Sequence, residues 1–115
     1  MDIADMPDVC PPLHVDVRRT ASVTTVVIAG EVDQVTSAEM SKAVAGVLQE
    51  DRNSHVVLDL GNVTFLDSSG IRALVICRGD AEQLGIRLEI RPVHDRVRRV
   101  LHVCGLEDLF HLPAA

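Results

Sequence analysis

Two adjacent serines flanked by an aspartate and a glycine, Asp67-Ser68-Ser69-Gly70, are the residues of this chain best placed to do chemistry. They follow an apolar stretch, and the apolar residues after them repeat with the 3.6-residue period of a helix. A serine at a helix start lies beside backbone N–H groups that have no partner within the helix, where the helix dipole is positive. Such a serine can cap the helix through its oxygen, and it can also carry a phosphate that the free N–H groups would accept. The spacing alone fits either role.

The segment that positions these serines, Val56–Cys77, is the one around which the chain is organised. Its first part, Val56–Leu60, is apolar, rich in β-branched residues and too short for a helix, which predicts a buried strand. The polar pair Gly61-Asn62 interrupts the apolar run before a second apolar patch, Val63–Leu66. A helix is then predicted to begin at one of the two serines, with an apolar stripe that includes Ile71, Leu74 and Val75.

Periodicity elsewhere predicts three further strands and two further helices. The strands are expected at Leu13–Arg18, Thr24–Gly30 and Ile86–Ile90, the first two as a hairpin. Helices are expected to start near Thr36, Ser68 and Val93, the first through a capping box between Thr36 and Glu39. The order β-β-α-β-α-β-α indicates an α/β fold, with a small mixed sheet of at least four strands packed with three or more helices.

Length and composition limit the rest of the interpretation. A chain of 115 residues is long enough for one domain with one core. Of its residues 47% are hydrophobic but only 2% are aromatic, so Phe65 and Phe110 are expected to be the only rings in an aliphatic core. The predicted division is a flexible N-terminal tail (Met1–Pro12), one domain (Leu13–Leu112) and a C-terminal tail (Pro113–Ala115).

Charge, hydropathy and cysteine content exclude several classes of protein. The formal net charge of −6 and the scarcity of stacking aromatics argue against direct nucleic-acid binding. No apolar run approaches the roughly 20 residues that span a bilayer, and the N-terminus lacks a signal-peptide pattern, so a cytoplasmic protein is predicted.

Cys77 and Cys104 are expected to point inward without forming a disulfide. Cys10, in the predicted tail, is expected to be the only readily alkylated thiol.

Catalytic interpretations find little support in the residues. A phospho-accepting receiver domain needs an acidic pair after its first strand and a late lysine, but here Arg18-Arg19 end that strand and Lys42 is the only lysine. A serine hydrolase elbow reads Gly-x-Ser-x-Gly, and Leu66 stands where its first glycine should be. The histidines are scattered, so neither a metal site nor a cofactor is predicted.

Three segments together resemble the STAS domain. They are Gly30-Glu31-Val32-Asp33 with Thr36, Val56–Gly70 with its Asp-Ser-Ser-Gly motif, and Val97–Gly105 ahead of Leu109-Phe110. The resemblance runs from about Leu13 to Leu112, with the elements in the family's order. Within the family, the chain is most similar to the bacterial anti-sigma factor antagonists of the SpoIIAA and RsbV kind.

The resemblance implies a regulatory protein and no enzyme. In this kind of protein the first serine of the motif is phosphorylated by the partner, an anti-sigma factor with a histidine-kinase-like ATPase fold. The unphosphorylated antagonist binds that anti-sigma factor and releases a sigma factor, and a PP2C-type phosphatase removes the phosphate. Carried over by position, the phospho-acceptor is Ser68.

The resemblance also implies a partner-binding surface. Its residues are Asp33, Asp67, Ser68, Ser69, Gly70 and Arg72. Asp33 falls on the family's aspartate that faces the kinase partner, and it is expected near Ser68. The family often has a small residue soon after the motif, whereas this chain has Arg72 on the first helical turn. An exposed Arg72 would pair with the phosphate or alter the choice of partner.

Two alternatives to this function stay open at the level of sequence. One is a STAS-type module with a partner unrelated to sigma factors, such as a stressosome component or a sensor of a small ligand. The other is a small serine hydrolase built on the same strand–turn–helix.

Overall fold

A four-stranded mixed sheet forms the centre of the fold in the computed structural model, which describes residues 13–50 and 53–112. The strands lie in the order β1 (His14–Arg19), β2 (Thr24–Val32), β3 (His55–Leu66) and β4 (Arg87–Val93). β1 pairs antiparallel with β2, and the other two pairs are parallel. The helices are α1 (Ser37–Glu50), α2 (Ser68–Gln83) and α3 (Asp95–Val103), followed by a 3-10 helix over Asp108–Phe110. The fold class and the order of elements predicted from the sequence are confirmed.

β3 is longer than the apolar run Val56–Leu60 that predicted it, because the strand continues through Gly61 and Asn62 to Leu66. The pairing of β3 with β4 shifts register between Leu58 and Leu60, just before the polar pair. The Asp59 carboxylate accepts a hydrogen bond from the Gly61 N–H at 3.0 Å, so a side chain satisfies that backbone donor. The register shift therefore lets the strand continue through Gly61 and Asn62.

The helix starts predicted near Thr36 and Ser68 are confirmed, and the one near Val93 lies two residues too early. Val93 still belongs to β4, and His94 caps α3 by accepting a hydrogen bond from the Arg96 N–H at its Nδ1 atom. α2 ends at Gln83, and Gly85 follows with φ of +72°, a conformation that favours glycine. The predicted end of this helix at a glycine is confirmed.

The core contains alternate residues of the central strands and the inner residues of all three helices. Phe110 is fully buried, as predicted, but Phe65 is 47% exposed, and its expected place in the core is wrong. The pairing of β2 with β3 shifts register between Gly30 and Glu31. The inward positions near the end of β3 therefore belong to Val63 and Leu66, and Phe65 lies outward. Val75, expected on the inner stripe of α2, is also exposed.

The cysteines follow the sequence prediction only in part. Cys77 is buried in α2, and no disulfide joins it to Cys104. Cys104, however, is exposed, because α3 ends at Val103 and the chain turns at Gly105 before the apolar stripe can include residue 104. Cys10 lies outside the described residues, as do the two predicted tails, 1–12 and 113–115.

Thiol labelling of the native protein should modify Cys104 quickly and Cys77 slowly. Burial, with a smaller contribution from the charge of Asp80, raises the pKa of the Cys77 thiol to about 11. The reactive thiolate is therefore rare at neutral pH, and the sulfur is shielded as well. Mass spectrometry of a Cys104→Ser variant, before and after unfolding in urea, checks this. Fast labelling of Cys77 in the folded variant would contradict the expected protection.

Glu89 on β4 is a nearly buried carboxylate among basic side chains. Its oxygens lie 2.7 Å from Arg87 Nε, 3.2 Å from Arg91 Nε and 3.2 Å from His55 Nε2. Burial alone would raise the pKa of Glu89, but the hydrogen bond from Arg87, the contact with His55 and the charge of Arg91 hold it below its usual value. The ionised carboxylate therefore stabilises the fold above its pKa in the unfolded chain. This contribution is lost as pH falls through the folded-state pKa.

Glu89→Gln should lower the free energy of unfolding by about 1–3 kcal/mol at pH 7, since charged hydrogen bonds are lost. The difference from wild type should shrink as pH falls through the folded-state pKa of Glu89, where the wild-type carboxylate also becomes protonated. Urea denaturation at pH 7 and at pH 3 measures both values. An equal loss at the two pH values would show that the charge of Glu89 is not what stabilises the fold.

Candidate functional site

Two acidic turns, called corners below, follow the carboxyl ends of β2 and β3 and lie at one edge of the sheet. Val32 and Leu66 are paired residues of these parallel strands, and Asp33 and Asp67 follow them directly. The Asp67 N–H donates to the Val32 carbonyl at 3.2 Å, which fixes the two corners side by side. Because each corner leads into a helix, α1 and α2 begin at the same edge. The structure thus brings Asp33 next to the serine motif, as the sequence predicted.

Asp67, and neither serine, caps α2. Its Oδ1 accepts a hydrogen bond from the Gly70 N–H at 3.1 Å, and its own backbone is extended with φ of −98° and ψ of −171°. Its carbonyl accepts the first helical hydrogen bond from the Ile71 N–H at 3.0 Å. Ser68 is the first residue of the helix and is exposed. Within the described residues its hydroxyl has no hydrogen-bond partner, so the cap leaves it accessible.

Asp67→Ala should lower the free energy of unfolding by about 0.5–2 kcal/mol, the usual range for loss of an N-cap. Asp67→Asn keeps an oxygen that can accept from the Gly70 N–H, so it should retain most of the stability. Urea denaturation of both variants makes the comparison. An Asp67→Ala variant as stable as wild type would show that this hydrogen bond does not hold the start of α2.

Gly70 lies where the first turn of α2 comes closest to the ends of the strands. A Cβ atom at this position would lie 2.4 Å from Leu66 Cδ1 and 2.8 Å from Val32 Cγ1, and both of those residues are buried. The glycine itself is buried. Its absent side chain therefore allows the helix to start at Ser68, close against the sheet.

Asp33 organises the other corner. Its Oδ1 accepts hydrogen bonds from the Val35 and Thr36 N–H groups, each at 2.9 Å. The hydroxyl of Thr36, which is only 2% exposed, donates to the Glu31 carbonyl at 2.7 Å and accepts from the Asp33 N–H at 2.9 Å. The predicted capping box is wrong, because the Thr36 hydroxyl is used within the turn. Glu39 therefore does not form the expected capping box with Thr36. The Asp33 carboxylate instead accepts hydrogen bonds from the backbone N–H groups just before α1.

A shallow groove runs between the first halves of α1 and α2. It is lined by Gln34, Ser37, Ala38, Ser41, Ser69, Arg72, Ala73 and Ile76. Ser69 is half-buried in it, and Arg72 is exposed on its rim. Sequence reasoning did not single out the residues that α1 contributes. These residues could have been found from the parallel pairing of β2 with β3, because it places the starts of α1 and α2 at the same edge of the sheet.

The predicted site residues are thus assembled on one surface, with Gly70 beneath it. Asp33, Asp67 and Ser68 lie at the strand ends, and Ser69 and Arg72 continue into the groove. Over residues 13–50 and 53–112 no group of three or more His, Cys, Asp or Glu side chains could hold a metal ion. In that same part of the chain, no helix combines the length and the apolar character needed to cross a membrane.

Comparisons with known proteins agree with this fold. The sequence model of the STAS domain matches residues 14–114. The anti-sigma-B factor antagonist of Staphylococcus epidermidis is 31% identical over 85 residues, which are 74% of this chain and 78% of that protein. The crystal structure of an anti-sigma factor antagonist from Mycobacterium paratuberculosis superposes with a TM-score of 0.75 at 27% identity, covering 93% of this chain and 92% of that one.

SpoIIAA shares the fold at lower sequence identity. The structure of its unphosphorylated form superposes with a TM-score of 0.72 at 16% identity, covering 89% of this chain and 88% of that one. The phosphorylated form of the Bacillus protein gives a TM-score of 0.64, also at 16% identity, with coverage of 89% and 91%.

Proposed function

The chain belongs to the STAS domain family, and we propose that it is an anti-sigma factor antagonist switched by phosphorylation of Ser68. The relatives from Staphylococcus epidermidis and Mycobacterium paratuberculosis carry that functional name, and the matches cover most of both chains. The functional unit we propose is Leu13–Leu112. Unphosphorylated, it binds an anti-sigma factor and so releases a sigma factor.

The observation that carries the proposal is the accessible hydroxyl of Ser68 at the start of α2. Asp67 provides the cap, so the Ser68 oxygen is not needed for helix stability and is open to a kinase. Gly70 and the paired strand ends hold this first turn in place. A rigid, exposed serine with no structural duty is suited to reversible modification.

The proposed switch is a local change of charge. A phosphate adds about −1.5 to −2 charges at neutral pH. On Ser68 it would lie next to Asp67 and near Asp33, on a surface that already has two carboxylates. Free N–H groups at the start of α2 can accept the phosphate, so the fold need not change. A partner surface that fits a neutral hydroxyl is then repelled, as in other switches that act through local electrostatics.

The proposed partners follow from the family resemblance. They are an anti-sigma factor that is also a serine kinase with a histidine-kinase-like ATPase fold, and a PP2C-type phosphatase that restores the free serine. We propose that the chain works in the cytoplasm, has no catalytic activity of its own and does not contact nucleic acid directly. Its net charge of −6 supports the last point.

Incubation with such an anti-sigma kinase and ATP, followed by intact-mass measurement, tests the proposed function. Wild type and Ser69→Ala should each gain one phosphate, and Ser68→Ala should gain none. The Ser69→Ala control separates the two adjacent hydroxyls. Phosphorylation of Ser68→Ala, or no phosphorylation of wild type by a kinase that binds it, would refute the proposed site.

A further inference from the structure

Arg72 lies one helical turn after Ser68 on α2. Residues four apart on a helix share a face, with Cβ atoms about 5–6 Å apart. Because Cα–Cβ bonds tilt toward the N-terminus, a long helical side chain covers the turn before its own Cα. For Arg72 that turn is the one that begins at Ser68.

Among the described residues, Arg72 has no competing acidic partner. Its side chain is exposed, and it forms no ion pair or hydrogen bond with the rest of the described chain. The first turn of α2 contains no acid, and Asp67 Oδ1 already accepts from the Gly70 N–H. Arg78, on the same helix, and Arg98 differ in this respect: Arg78 lies 2.9 Å from Glu82, and Arg98 lies 3.7 Å from Glu107.

We infer that Arg72 is the internal counter-ion of a phosphate on Ser68. This inference rests on the proposed function for the phosphate itself. A guanidinium presents parallel N–H donors that fit two phosphate oxygens at once, and such charge-assisted pairs are the stronger hydrogen bonds. The remaining charged neighbours at the strand ends, Asp33 and Asp67, are both acidic. Arg72 is thus the side chain on this surface that compensates the added negative charge.

The pairing changes the surface in a second way. Arg72 lines the groove together with Gln34, Ser37 and Ser69. When the guanidinium folds back onto the phosphate, it is withdrawn from that groove and from any acidic group that a partner places there. Phosphorylation therefore adds negative charge at Ser68 and removes positive charge from the groove in one step. A carboxylate at position 68 reproduces this only in part, because it is shorter and carries a single charge.

The test is a phosphorus NMR titration of protein with phosphoserine installed at position 68 during translation, which needs no kinase. The phosphate of otherwise wild-type protein should have a second pKa about 0.3–0.6 units below that of the Arg72→Gln variant, since an adjacent cation favours the doubly ionised form. Arg72→Lys should recover part of the shift because it keeps the charge but lacks the planar fork. Arg99→Gln, which removes an exposed arginine of α3, should leave the pKa at the wild-type value.

Equal phosphate pKa values in wild type and Arg72→Gln would overturn the inference. So would an equal shift caused by Arg99→Gln, since that would indicate net charge and not a pair. High salt should reduce the difference, as expected for an exposed ion pair. Failure of a kinase to modify Ser68 counts against the proposed function alone, because the phosphoserine in this experiment is placed genetically.

Discussion

Ser68→Asp should bind the anti-sigma partner at least about 100-fold more weakly than Ser68→Ala, a difference of roughly 2.8 kcal/mol in binding free energy. The aspartate adds a charge beside Asp67 and near Asp33, where the partner has to approach. The alanine adds no charge, and the cap formed by Asp67 keeps α2 in place in both variants. Isothermal titration calorimetry against the same anti-sigma factor gives the two dissociation constants.

A control for added charge is available at the opposite edge of the sheet. Ser54 is exposed just before β3, where its carbonyl accepts from the Arg87 N–H. Ser54→Asp adds the same charge far along the strand from Ser68, so it should bind like wild type. Equal affinities for Ser68→Asp and Ser68→Ala would end the hypothesis of an electrostatic switch.

Gly70→Ala should lower the free energy of unfolding by about 1–3 kcal/mol, the usual cost of overpacking a core position. The new methyl group would lie 2.4 Å from Leu66 Cδ1 and 2.8 Å from Val32 Cγ1, so buried side chains or the start of the helix must move. A moved helix start displaces Ser68 as well, and partner binding should weaken beyond the loss of folded protein. Urea denaturation and calorimetry measure the two effects.

Gly79 on the same helix is the matched control. A Cβ atom there meets nothing within 4 Å, and the residue is exposed. Gly79→Ala should therefore stabilise the protein by about 0.5–1 kcal/mol, since alanine loses less backbone freedom in a helix than glycine does. If the two substitutions changed stability equally, the contacts at Gly70 would not be what requires a glycine.

Most of the fold could be predicted from the sequence, because strands and helices follow from the local spacing of apolar residues. The apolar run Val56–Leu60 is too short for a helix, and it forms the first part of the buried strand β3. Alternation and capping residues located the other elements to within a few positions. The position of Phe65 could not be predicted, because the register shift in the β2–β3 ladder depends on how two strands pair and not on the polarity of either.

The sequence predicted which residues at the strand ends form the site, but not which of them caps α2. Asp33, Asp67 and Ser68 were expected together, and the paired ends of β2 and β3 place them so. Which side chain caps α2 was open, since aspartate and serine are both good N-caps. The backbone geometry assigns that role to Asp67, which leaves Ser68 free. The groove between α1 and α2 is a tertiary feature that has no signature in either helix alone.

Release of a sigma factor from its complex with the anti-sigma factor, followed by size-exclusion chromatography, tests the central claim most directly. Added unmodified protein should shift the sigma factor to the elution volume of its free form, whereas protein with phosphoserine at position 68 should leave the complex intact. Equal release by the two forms, or release by neither, would contradict the claim that Ser68 is the switch of an anti-sigma factor antagonist.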